Sequence, residues 1–126
     1  MGLPRPQRLR HTREIEAVRT HGNAREAGFF RVQLWTKAAD REANPPIPLR
    51  RLAVIASRRA GGAVARNRCK RLLRAAFRLR QEDFPPVCDV VLIARRKLAD
   101  ANIGEVGDAL AQVIERLRRS ERPKPQ

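Results

Sequence analysis

Residues 58–80 read RRAGGAVARNRCKRLLRAAFRLR. This stretch holds nine Lys or Arg and no Asp or Glu, while the other 103 residues share the remaining nineteen basic side chains. Gly61 and Gly62 supply a flexible lead-in, and no Pro or Gly interrupts residues 63–84, so the stretch predicts one helix. At ~100° per residue, Ala65, Cys69, Leu72, Leu73, Ala76 and Leu79 share one arc. Arg66, Lys70, Arg71, Arg74 and Arg78 share another, with Asn67 among them, and Arg68 stands toward the far flank of the apolar arc. Such a helix buries one face and offers the other to phosphates, which guanidinium groups bind in bidentate fashion. The plain alternative is a solvated charged face. Solvated helices, however, interleave both signs to gain i,i+4 pairs, and like charges without a counter-charge repel. An external polyanion explains the run better.

The whole composition points the same way. A chain of 126 residues forms one domain with a single modest core. A formal charge of +15 calls for a polyanionic partner, and 4% aromatic residues limit base stacking. No apolar run approaches membrane-spanning length and no signal peptide opens the chain, so no membrane partner and a cytoplasmic location are expected. Cys69 and Cys88 form no Cys-x-x-Cys pair and read as small buried hydrophobes. His11 and His21 lack zinc-site neighbours, so no structural metal is expected.

Read in order, the Pro- and Arg-rich first ten residues predict a flexible basic arm. Thr12 can N-cap a short helix ending at His21, with Ile15 and Val18 inward and Gly22 as the stop. Residues 23–28 are ambiguous between loop and a short edge strand. Residues 29–36 alternate, with Phe30, Val32 and Leu34 on one face and Arg31, Gln33 and Trp35 on the other. Prolines make 37–50 a loop. The apolar run 52–56 predicts a central strand, as does Val87–Ala94, broken only by Asp89. Arg95, Arg96 and Lys97 add charge at the end of that strand. Asn102 and Glu105 form a capping box for a final helix that buries Val106, Leu110, Val113, Ile114 and Leu117. From Arg118 onward a disordered tail is expected. The result is an α+β fold of helices on a small sheet, one domain over 1–126, ordered from about 8 to 118.

The stretch AVARNRCKRLLR at residues 63–74 resembles the RNR signature of the bacterial ribonuclease P protein component, approximately A-V-x-R-N-R-x-K-R-L-x-R, with every fixed position present. Arg8-Leu9, the run Arg51-Leu52-Ala53-Val54 with Ala56-Ser57-Arg58-Arg59, Phe77 and residues 90–96 extend the resemblance over roughly residues 8–117. The resemblance implies an αβββαβα two-layer sandwich with a mixed sheet and a left-handed βαβ crossover. It implies the RNA-binding protein subunit of the endonuclease that removes the 5′ leader of precursor tRNA. In that family the RNA subunit and its magnesium ions carry the hydrolysis. The protein alone then has no catalytic residues, binds no cofactor and requires no protein partner. Carried over by position, Arg66, Asn67, Arg68, Lys70, Arg71 and Arg74 contact the ribonuclease P RNA. The leader lies in a cleft of Ile15, Arg31, Gln33, Ile55, Ser57 and Arg59. Family members often carry Phe at the positions of Ile15 and Arg19 and Tyr at that of Gln33. Stacking is therefore weakened here or shifted onto Trp35, which either lines the cleft or is buried.

Two rivals stand beside this reading. A stand-alone metal-dependent nuclease needs clustered carboxylate or His ligands, and the thirteen acidic residues show no such spacing. A general RNA-binding module, such as a ribosomal protein, has the right charge, and only the signature and strand motifs argue against it.

Overall fold

A computed structural model describes residues 7–36 and 49–121. The elements run α1 (Thr12–His21), β1 (Asn23–Glu26), β2 (Phe30–Trp35), β3 (Leu49–Ile55), α2 (Ala63–Leu79), β4 (Val87–Ala94) and α3 (Ile103–Glu121). Short 3-10 turns occupy Arg58–Ala60, Gln81–Asp83 and Arg96–Asp100. The order is the expected αβββαβα. Among the described residues no helix is long and apolar enough to cross a membrane.

The sheet has strand order β1-β2-β4-β3, antiparallel except for the parallel pair β3/β4, so β4 is central. The sequence places the run 52–56 in a central strand; residues 52–55 belong instead to an edge strand that begins at Leu49, inside the expected loop, and ends at Ile55, one residue short of the run. The outer edge of β3 is covered by the N-terminal segment, where Leu9 N–H donates to Leu52 O at 2.9 Å. Leu9 is buried, so the expected flexible arm is docked at this point. Residues 1–6 of that arm and 37–48 of the loop lie outside the described residues. The ambiguous segment 23–28 contains the edge strand β1.

Period-two alternation sorts the strands onto two faces. Phe30, Val32, Leu34, Leu52, Val90 and Leu92 join Cys69, Leu73, Ala76 and Phe77 of α2 and Val106, Leu110, Ile114 and Leu117 of α3 in the main core. Each such fully buried large apolar side chain stabilises the fold by roughly 1.5–3 kcal/mol. Ala53 and Val91 on the other face meet Val18 of α1 and Leu9, with Ile15, Ile55, Ile93 and Trp35 packed around them. On α2 the expected apolar arc is rotated at its C-terminal end. Leu79 is 69% exposed, and Phe77 takes its place, edge-on to Phe84 at 5.1 Å.

Three local features shape the elements. Thr12 does not cap α1; His11 holds the cap position without a side-chain bond, and Thr12 is already helical. Gly22 ends α1 at φ −83°, so glycine is required there for close approach: a Cβ would lie 2.6 Å from Leu34 O and Val18 O. The capping box of α3 forms as expected. Glu105 N–H donates to Asn102 Oδ1 at 2.9 Å, and Asn102 N–H donates to Glu105 Oε1 at 3.1 Å. The helix runs on to Glu121, past the expected start of the tail, because Leu117 still packs into the core.

The hand of the β3–α2–β4 crossover follows from the backbone. Leu49 N–H donates to Pro86 O, while Leu52 O faces outward to Leu9, so odd-numbered residues of β3 turn their peptide groups toward β4. The odd-numbered side chains Ala53 and Ile55 face α1. For L-residues in a strand running upward, with those side chains toward the viewer, β4 must stand to the right. The connecting helix α2 lies behind the sheet, so the crossover is left-handed, against the ~98% preference for the right hand.

Candidate nucleic-acid interface

Gly61 and Gly62 set the start of α2. Gly61 has φ 131°, and a Cβ there would sit 2.8 Å from Ala65 Cβ, so neither its conformation nor its space admits a side chain. The helix then carries its basic residues around three sides, with different fates. Asn67, Lys70, Arg71 and Arg74 line one open groove of about 440 Å³ together with Val64. Val64 is 82% exposed, an apolar side chain with no packing role that periodicity did not single out.

The other two signature residues are turned elsewhere. Arg68 Nε donates to Ala99 O at 2.8 Å and Nη2 to Ala101 O at 3.1 Å, so this guanidinium ties α2 to the turn after β4. Arg66 is half-buried, with Nε enclosed and unbonded. Cys69 lies beneath this surface, fully buried. Its burial pushes the thiol pKa up, which keeps it protonated and apolar in behaviour. Among the described residues no three His, Cys, Asp or Glu side chains converge as metal ligands.

A second cleft, about 480 Å³, lies along the edge of β3, between the N-terminal segment and the start of α1. It is lined by Arg8, Arg10, Ile15, Ile55 and Arg74, with Leu9 and residues 52–54 between them. Arg74 therefore borders both concavities and joins the basic face of α2 to the cleft. The sequence does not place Arg8 and Arg10 in this site, because a basic arm carries no periodicity from which to orient its side chains. The bridge from Leu9 to β3 is what sets them there.

The cleft residues expected from sequence are only partly brought together. Registry places them in rows across the α1 side of the sheet: Arg31–Ile93–Ile55, then Gln33–Val91–Ala53, then Trp35–Asp89–Arg51. Helix α1 covers the last two rows, through Val18 over Ala53 and Val91, and through Glu14, which accepts from Arg51 Nη1 at 2.6 Å. Gln33 is consequently buried, with Oε1 unbonded to protein, and does not line an open groove as expected. Trp35 is half-buried in the α1 cluster, its ring 5.2 Å from that of His21, away from the cleft. The first row stays half-open. Ile93, which the sequence marks only as part of an apolar strand, sits there between Arg31 and Ile55. Ser57 and Arg59 follow the end of β3, both exposed, with Ser57 Oγ accepting from Arg59 N–H at 3.3 Å.

Arg31 does not stand free. Glu26 accepts from it at 3.0 Å and from Arg95 at 2.7 and 3.1 Å. Hydrogen bonding to Arg95, and then to Arg31, holds the Glu26 carboxyl below the usual glutamate range, and the same bond raises the Arg95 pKa.

Comparison with known proteins gives one consistent answer. A family model described as Ribonuclease P matches residues 3–118. The ribonuclease P protein component of Shouchella clausii (strain KSM-K16) is 33% identical over 114 residues, covering 90% of this chain and 88% of that protein. That of Oleidesulfovibrio alaskensis (strain ATCC BAA-1058 / DSM 17464 / G20) is 41% identical over 96 residues, covering 76% and 72%. Among solved structures, the RNase P protein from Thermotoga maritima aligns with TM-score 0.69 at 26% identity, over 86% of this chain and 96% of that one. The Staphylococcus aureus RNase P protein aligns with the same TM-score of 0.69 at 23% identity, a likeness of fold.

Proposed function

The chain belongs to the ribonuclease P protein family, and from that membership we propose that it grips the catalytic RNA with α2 and holds the 5′ leader of precursor tRNA beside α1. The observation that carries this reading is the position of Arg74, on the border between the groove of Asn67, Lys70 and Arg71 and the cleft of Arg8, Arg10, Ile15 and Ile55. One continuous basic surface then serves two RNA segments. The RNA-subunit contacts are Asn67, Lys70, Arg71 and Arg74, with Arg66 and Arg68 at the flank, and Val64 adds an apolar contact. The leader runs over Ile15, Ile55 and Ile93 toward Arg31, with Ser57 and Arg59 at the end of β3.

An unpaired strand suits such a surface, because phosphate contacts and a shallow apolar floor need no particular base sequence. Hydrolysis is left to the RNA subunit, whose phosphates bring the magnesium ions. The protein contributes positive charge and position. Gln33 and Trp35 act in this scheme by shaping the sheet under α1.

The test is binding of precursor tRNA by the reconstituted holoenzyme over a series of leader lengths, with RNA-only and protein-only controls. The protein should tighten precursor binding, barely affect mature tRNA, and lose its effect as the leader is trimmed. An equal gain for mature tRNA would rule out the leader cleft. Ribosomal RNA or mixed nucleic acid dominating the co-purified material would favour a general RNA-binding module instead.

A further inference from the structure

The half-open row on the sheet crosses all four strands: Glu26 on β1 pairs with Arg31 on β2, which pairs with Ile93 on β4, which pairs with Ile55 on β3. Ile55 also lines the cleft. The row therefore continues the cleft across the sheet and ends at a cluster of three charged groups. Arg95 joins that cluster from just beyond β4, where its N–H donates to Phe29 O at 2.9 Å.

Within the cluster, Glu26 Oε2 accepts from Arg31 Nη1 at 3.0 Å and from Arg95 Nη2 at 2.7 Å, and Oε1 accepts from Arg95 Nε at 3.1 Å. Two guanidinium groups, one from β2 and one from just beyond β4, thus converge on one oxygen, and Arg95 also holds the second. A phosphodiester presents two charged oxygens and a single negative charge, so it can replace a carboxylate at such a fork without change in net charge. All three side chains are substantially exposed, at 36% for Arg31, 42% for Arg95 and 48% for Glu26. An exposed ion pair is worth little and exchanges easily.

We propose that Arg31 and Arg95 form a phosphate-binding pair at the far end of the leader path, and that Glu26 occupies it in the free protein in place of a leader phosphate. Glu26 then sets how tightly the leader is held, since each phosphate that enters must displace its carboxylate. The inference rests on the leader-cleft reading above and adds to it a terminus, a second arginine and a competitor.

The experiment reconstitutes the holoenzyme with wild-type protein, Glu26→Gln, Arg95→Ala, Arg31→Ala/Arg95→Ala, and Glu26→Gln in that double-alanine background. Affinity is measured for precursor tRNA, for mature tRNA and for the RNA subunit, and thermal melts check that each variant is folded. Glu26→Gln should tighten precursor binding about two- to fivefold, the range expected of one exposed charge pair, and leave the other two affinities unchanged. Arg95→Ala should weaken precursor binding. In the double-alanine background Glu26→Gln should give no gain. Unchanged or weaker precursor binding by Glu26→Gln, while wild type keeps its leader preference, overturns this inference and leaves the cleft standing. An equal gain for mature tRNA or the RNA subunit also overturns it, as a general charge effect. Loss of leader preference in wild type would overturn both.

Discussion

Arg51 on β3 and Asp89 on β4 stand opposite one another in the parallel register and share two 2.8 Å hydrogen bonds, Nε to Oδ1 and Nη2 to Oδ2. The Asp89 side chain is only 3% exposed, and the third guanidinium nitrogen reaches Glu14 of α1. Hydrogen bonding to Asp89 raises the Arg51 pKa further above its ordinary value, so the arginine stays charged. Arg51→Met should cost about 3–5 kcal/mol in urea unfolding, because the buried Asp89 carboxylate loses the guanidinium that balances its charge. Pairing it with Asp89→Leu should recover most of that loss. A loss in the double variant as large as in the single would show that the pair itself stabilises the fold.

RNA binding should be steeply salt-dependent. If α2 neutralises ~5 phosphates, the slope of log K against log salt concentration lies near −4. Titrations between low and moderate salt measure it, and a flat line would remove the polyanion argument.

The faces of α2 make separable predictions. Asn67→Ala and Arg71→Ala should weaken RNA binding and leave the melting curve within about 0.5 kcal/mol of wild type. Leu73→Ala, in the core, should cost ~2–5 kcal/mol, whereas exposed Leu79→Ala should be nearly silent.

Arg68 should behave unlike its neighbours in the signature. Its two bonds to Ala99 O and Ala101 O fasten the turn after β4. Arg68→Ala should therefore lose about 1–2 kcal/mol of stability, read from the same melts as Arg71→Ala. Equal stability of the two variants would mean that the bonds to Ala99 O and Ala101 O do not hold the turn.

Glu26 carries a small pH signature. Its folded pKa is lowered, chiefly by Arg95, so its contribution is present above the ordinary glutamate pKa and is lost as pH falls through the folded value. With the carboxylate about half exposed, solvent screening keeps that contribution at or below about 1 kcal/mol. Urea midpoints of wild type and Glu26→Gln should differ slightly at neutral pH and converge in acid. A difference that persists below both pKa values would assign the effect to packing.

The sequence alone determined what short-range periodicity encodes. The helix from Ala63, its RNR face, the capping box at Asn102 and Glu105, the alternation around Phe30, Val32 and Leu34, and the apolar strand ending at Ala94 are each legible within about ten residues, because 3.6- and 2-residue repeats set which side chains share a face. The family resemblance added a third strand to that order, where residues 23–28 are ambiguous, and the left-handed connection, which no local rule favours. Tertiary structure alone decided how residues distant in the chain meet. Residues 52–56 read as central because they are apolar, yet β4 inserts between β2 and β3 and leaves them at an edge. Gln33 alternates correctly and is still buried, because α1 lies over its row. Arg68 and Arg71 are three residues apart in one basic run, yet only Arg68 reaches the carbonyls of Ala99 and Ala101. Glu26 and Arg95, sixty-nine positions apart, meet only because β1, β2 and β4 pair in one register. Which charges remain available to RNA is a property of those long-range pairings, since a guanidinium bonds whatever acceptor the fold brings within 3 Å.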